Sequence, residues 1–178
     1  NHGMNESTVD INPHFRFLHD RVQQAAYAMI QDDMRAEVHL HTGRVLLANT
    51  PSEKISESIF DIVVHYVDAT HLVTDPKERT ELAGLFLLAG KKAKDSTSYD
   101  LAVKYLSLGV SILGKESWSN QYNLTFNLNL ELGECENLNG ANEKAEKLFV
   151  HTLEHANSRF DKLKTYYIQS SLYLKMGN

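Results

Sequence analysis

Cysteine, proline and tryptophan are all scarce here: 178 residues contain one cysteine, three prolines and one tryptophan. A lone Cys135 rules out an internal disulfide, and with it a small scaffold held together by cystines. The prolines, Pro13, Pro51 and Pro76, leave long stretches in which a helix need not be interrupted. Basic residues are not in excess. Lys and Arg number 18 against 23 Asp and Glu, a formal charge of −5, and this argues against nucleic acid, whose phosphates call for clustered cations. No apolar run reaches the roughly 20 residues of a membrane-spanning helix. The start shows neither the basic nor the apolar region of a secretory signal, so a cytoplasmic protein away from the membrane is expected. Alternation of period two never lasts long enough for a sheet, apart from a short strand-like piece at Phe15–Leu18. No Ser/His/Asp or Cys/His arrangement carries a local catalytic signature.

What the chain does have is a pattern that occurs twice. Gly90, Ala102 and Leu106 recur 43 positions on as Gly133, Ala145 and Phe149. A small residue on one helix of a hairpin lets the next approach closely, and the Ala and the large residue a turn later fill the contact. Self-similarity at a fixed offset marks helical arrays, whose units bury their faces by stacking. These six residues are the expected packing positions.

The expected fold is all-α, with about eight helices: His19–Ile30, Asp33–Ala48, Glu53–Leu72, Pro76–Lys94, Tyr99–Leu113, Ser119–Leu138, Asn142–Ser158 and one beginning near Asp161. Asp75-Pro76-Lys77-Glu78 is a start signal, with a capping acid, a proline whose missing N–H costs nothing and a glutamate near the positive helix end. Ile59, Ile62, Val63 and Tyr66 form one apolar stripe. Ser119–Leu138 is apolar on more than one side, as a helix between neighbours requires. Residues 1–14 read as a tag remnant and lead, 15–31 as a separate segment, and 32–178 as the repeat domain. Lys175-Met176-Gly177-Asn178 repeats the turn character of Leu138-Asn139-Gly140-Ala141, so the last helix is expected to present an exposed, adhesive flank and to support a dimer.

Gly90–Leu113 and Gly133–Ala156 resemble tetratricopeptide-type hairpins, which implies a right-handed superhelix of stacked antiparallel pairs. They depart from that family in Glu136, where an aromatic is usual, and in an offset longer than about 34 residues. Phe15-Arg16-Phe17-Leu18-His19-Asp20-Arg21, running on to Ala25-Ala26-Tyr27, resembles the end of the winged-helix region in signal-transduction (STAND-type) ATPases of the AAA-related class. Glu37–Leu47 and Ile59–Tyr66 look like the helices that open the superhelical arm of such proteins. The combination is similar to large bacterial proteins joining a serine/threonine kinase, an ATPase module, this arm and a sensor histidine kinase. The resemblance implies ATP or ADP and magnesium in the parent and no cofactor in this segment. It also implies that His19 is the position matching a nucleotide-contacting histidine, although capping or packing at a helix start weighs more.

Other motifs read as ordinary structure. Gly109-Val110-Ser111-Ile112-Leu113-Gly114-Lys115-Glu116 nearly matches a phosphate loop, but Glu116 stands where a hydroxyl should hold magnesium and the strand–loop–helix context is missing. His151 and His155 share a helix face with the spacing of two metal ligands, but no third ligand is evident, so both are expected in solvent and no metal is assigned. Tyr99, Tyr105, Trp118 and Tyr122 are candidates to line a groove, though in stacked hairpins such aromatics usually pack between units. Two functions follow. The first is a non-catalytic coupling arm that binds a protein, a peptide or another domain of its own chain. The second is part of a nucleotide-responsive or phosphotransfer unit acting through His19.

Overall fold

A computed structural model describes residues 32–175. The strand at Phe15–Leu18, the helix at His19–Ile30, and His19 itself lie outside the described residues. Those that are described form eight α-helices and no strand: α1 (Asp32–Asn49), α2 (Ile59–Tyr66), α3 (Pro76–Asp95), α4 (Tyr99–Leu113), α5 (Ser117–Asn120), α6 (Tyr122–Leu138), α7 (Asn142–His155) and α8 (Arg159–Lys175). Short 3₁₀ turns sit at Ser52–Lys54 and Thr70–Leu72. Packing runs mostly between neighbours: α1 on α2, α2 on α3, α3 on α4, α4 on α6, α6 on α7, and α8 on both α6 and α7.

The segment from Glu53 to Leu72 is not the continuous helix expected from sequence. Ser52–Lys54 is a 3₁₀ turn, and regular α-structure begins only where the apolar stripe does, at Ile59. Ile59, Ile62, Val63 and Tyr66 are then all buried. Ala69 and Val73 are buried too, and the 3₁₀ turn between them brings the chain round to the cap of α3. There Asp75 Oδ2 accepts from the Glu78 N–H at 2.9 Å. The Glu78 carboxylate receives both Nε and Nη2 of Arg44 at 2.7 and 2.8 Å, which ties α1 to the start of α3. The helix expected to open at Ser119 is also interrupted: Gln121, at φ −134° and ψ 39°, separates the single turn of α5 from α6. α7 ends at His155, three residues earlier than expected.

Two hairpins, α3–α4 and α6–α7, are built alike. In the first, the Thr97 N–H bonds the Lys94 carbonyl at 2.8 Å and the Ser98 N–H bonds the Ala93 carbonyl at 2.9 Å. In the second, the Gly140 N–H bonds the Asn137 carbonyl at 2.9 Å and the Ala141 N–H bonds the Glu136 carbonyl at 2.8 Å. Both are Schellman turns, which satisfy the last carbonyls of a helix through one left-handed residue. Gly140 takes that conformation at φ 83°, and Thr97 takes it at φ 58° as the one non-glycine residue with positive φ among those described. The turns touch: Asn139 Nδ2 donates to Asp100 Oδ1 at 2.8 Å. The repeat therefore includes its turn, with a threonine in the first copy where the second has glycine.

Glycines set the distance between helices. A Cβ at Gly90 would lie 2.5 Å from Leu106 Cγ, and one at Gly133 would lie 2.9 Å from Phe149 Cε1. Gly109 stands in the same relation to Leu128, and Gly43 to the Tyr66 ring. Ala102, Leu106, Ala145 and Phe149 are all buried. One apolar core runs from Leu40 to Cys135, and a second cluster, Phe126, Leu130, Ala145 and Phe149, holds α6 to α7. Helix α6 is buried on several sides, through Phe126, Leu128, Leu130 and Leu132. It lies against α3, α4, α5, α7 and α8, which explains its lack of a single apolar stripe.

Candidate interaction surfaces

The four aromatics considered as a groove do not come together. Tyr105 is core: it is 4% exposed and stacks between Phe60 and Phe86, with ring centroids 6.1 and 6.2 Å away. Burial pushes its phenol above the ordinary value. Tyr99 opens α4 on the far side of the α3–α4 turn, beside a shallow depression formed with Thr97, Asp100 and Asn139. Trp118 and Tyr122 are neighbours, 6.1 Å apart, and continue to Phe126 in one aromatic row along α5 and α6.

That row is a joint. The Tyr122 hydroxyl donates to Asp161 Oδ2 at 2.9 Å and accepts from the Asn157 N–H at 2.8 Å. Ser158 Oγ accepts from the Asp161 N–H at 3.0 Å and caps α8, while its own proton goes to Asp161 Oδ2. Tyr122 thus holds the α7–α8 corner from α6. Trp118 reaches the end of α7, where its ring stacks on His155 with centroids 4.6 Å apart and its indole N–H points at His151 Nε2, 3.3 Å away. His155 in turn donates from Nδ1 to the His151 carbonyl at 2.9 Å. Only His151 is exposed as expected; His155 is half-buried under Trp118, and Glu154 supplies the third donor not evident in the sequence. The imidazole and carboxylate atoms of His151, Glu154 and His155 lie within 4.8 Å of one another. Burial and the nearby His155 lower the pKa of His151.

A cleft of about 500 Å³ lies where the start of α3 meets the end of α4, walled by Pro76, Arg79, Thr80, Ile112, Leu113 and Gln121. Arg79 Nε donates to the Ile112 carbonyl at 2.7 Å and fixes its floor. A smaller depression behind it shares Arg79 and Ile112. The near-match to a phosphate loop falls beside this region without forming one. Gly109 is buried within α4, its Cβ position taken by Leu128, and Gly114 ends that helix at φ 73°.

Other ionisable groups meet between helices. Lys94 lies between Glu131 and Glu134 of α6 at 2.6 and 2.8 Å. Burial alone would lower its pKa, but the two carboxylates outweigh that and raise it. Cys135 is fully buried, and desolvation pushes its thiol up to about 12. His39 and His65 meet across α1 and α2, Nδ1 to Nδ1 at 3.0 Å. One face stands out: α8 exposes Phe160 (74%), Leu163 (66%), Tyr167 (75%) and Leu174 (77%), spaced as one side of a helix, while its Thr165 is buried on the opposite side.

Among curated proteins, the chain is similar to hybrid signal transduction histidine kinase G of Dictyostelium discoideum, 28% identical over 166 residues. The match takes in 80% of this chain and 5% of the relative, so the chain spans one small part of it. The region therefore resembles part of a large hybrid signalling histidine kinase. No family model matches the chain, and no solved structure matches it. Among the described residues no helix is long and apolar enough to cross a membrane.

Proposed function

We propose that this chain is a non-catalytic interaction and coupling arm of a larger signalling protein of the hybrid histidine kinase kind. Its helices form a tetratricopeptide-like right-handed superhelix of stacked antiparallel pairs. The arm binds a protein or peptide regulator, or another domain of its own polypeptide, and passes that event along the stack. Any nucleotide, magnesium ion or phosphotransfer chemistry belongs to other parts of the parent.

One observation carries the reading. The helices are joined neighbour to neighbour through glycine contacts, and the last described helix, α8, exposes Phe160, Leu163 and Tyr167 along one side. A stack of this kind can pass a small rotation from one pair to the next, and the exposed side of α8 offers apolar area to a partner or to another part of the parent. Similarity to part of a hybrid histidine kinase supports placing the arm in a signalling protein.

The test uses a photo-crosslinking residue at Phe160 or Tyr167 in the full-length parent. Crosslinks to a defined segment of the parent, or to a defined regulator, are expected, together with their loss in Leu163→Glu. Signalling output that is unchanged by Leu163→Glu, with no crosslink formed, refutes the arm. In parallel, calorimetry of this chain with ATP or ADP is expected to give no heat. Heat that disappears in His19→Ala would instead favour a nucleotide-responsive unit.

A further inference from the structure

The end of α7 carries a set of donors that the packing of the arm does not explain. His151, Glu154 and His155 occupy positions i, i+3 and i+4, which a helix brings to one face. Their donor atoms fall within 4.8 Å of one another. Ligands about 2.0–2.2 Å from a zinc ion stand somewhat closer together than that, and small rotations of exposed side chains close the difference. Two imidazoles and a carboxylate suit a borderline divalent ion such as zinc, and three protein ligands leave a further position for water or a donor from elsewhere.

Two features go beyond spacing. His155 Nδ1 donates to the His151 carbonyl at 2.9 Å, which fixes the tautomer and leaves the lone pair on Nε2. A backbone carbonyl held by the second ring nitrogen is the usual way a metal-binding imidazole is oriented. The ring is also clamped in plane by Trp118, stacked at 4.6 Å with an interplanar angle of 22°. His151 is less ready, because its Nε2 accepts the Trp118 indole N–H. At 3.3 Å that bond is long for an N–H donor, so a metal can displace it at small cost.

We infer that His151, Glu154 and His155 form a site for a divalent transition-metal ion of the zinc class, and that metal at His151 Nε2 displaces the Trp118 indole N–H. Occupancy then reports to α5 and the aromatic row beyond it, because Trp118 is the link between them.

Zinc ion alone, titrated calorimetrically into the intact chain near neutral pH, is the direct probe, with emission of the single tryptophan as a local readout. One equivalent is expected to bind and to change Trp118 emission. His151→Ala and His155→Ala should each weaken binding at least about tenfold, the scale at which even outer-shell partners act. Trp118→Phe, which keeps the stack and removes the competing N–H, should bind zinc at least as tightly as the native chain. Circular dichroism of each variant confirms that it is folded. Absence of saturable binding, or binding that survives His151→Ala with His155→Ala and disappears in His39→Ala, overturns the site. Weaker binding in Trp118→Phe overturns the displacement.

Discussion

Two glycines of α3 separate a helix's own preference from the demands of its neighbour. Gly84 and Gly90 lie in the interior of the same helix, so alanine at either gains the same intrinsic amount, about 0.5–1 kcal/mol over glycine. Their surroundings differ. A Cβ at Gly84 meets nothing within 4 Å, whereas one at Gly90 falls 2.5 Å from Leu106 Cγ and 2.7 Å from its Cδ2. Leu106 is fully buried, and Cγ is its branch point rather than a free end, so the side chain cannot swing clear. Forcing an extra carbon into such a contact costs about 1–3 kcal/mol, and at this separation the upper part of the range applies. Gly84→Ala should therefore stabilise the chain by about 0.5–1 kcal/mol, and Gly90→Ala should destabilise it by about 1–2 kcal/mol net of the helical gain. With about 2–4 °C per kcal/mol at this size, the melting temperature should rise by about 1–4 °C in the first and fall by about 2–8 °C in the second. Thermal unfolding followed by far-ultraviolet circular dichroism measures both. If Gly90→Ala melts at or above the native temperature, close approach of α3 and α4 is not what that glycine provides.

The turns offer a matched pair. Thr97→Gly should stabilise by about 0.5–1.5 kcal/mol, because a β-branched residue at positive φ is strained, and Gly140→Ala should destabilise by about 1 kcal/mol; urea denaturation reads both. Lys94→Met leaves Glu131 and Glu134 facing each other without their shared cation and should cost about 1–3 kcal/mol, discounted for partial solvent access; adding Glu131→Gln and Glu134→Gln should recover much of the loss. Burial and the adjacent His39 lower the pKa of His65 below 6.5, with Asp61 opposing, so the unfolded chain binds more protons there. Stability should thus be full above about pH 6.5 and fall as pH drops below it, and urea midpoints between pH 7 and pH 5 should show a shallower decline in His65→Gln. Tyr122→Phe removes the hydroxyl shared by Asn157 and Asp161 and should loosen α8 first, seen as faster amide exchange from Arg159 onward with little change in α3 or α4.

The sequence by itself determined the helices and the repeat. Periodicity, one Pro start signal and the scarcity of other breakers were enough to delimit α3 and α4 closely and to locate α1, because those signals are local. It also determined which small residues would meet which large ones, since Gly90 with Leu106 and Gly133 with Phe149 are related by the helix-turn-helix geometry of one hairpin. The repeat at the turn is not legible in the sequence because Thr97 carries no left-handed signature; in the structure the Thr97 and Ser98 N–H groups bond the Lys94 and Ala93 carbonyls there. Breaks at Gln121 and between Lys54 and Ile59 were likewise decided by tertiary packing, which bends the chain to bury Ala69 and Val73 and to send Trp118 toward α7. The candidate surfaces depended on structure most of all. Tyr99, Tyr105, Trp118 and Tyr122 look equivalent as residue types, yet one is core, one flanks a turn and two hold a joint. Glu154 joins His151 and His155 only once their atoms are seen together, and what holds the His155 ring is an indole 37 positions away in the chain. Local sequence sets what each helix is; distance in the chain hides what it touches, and contact is what makes a site.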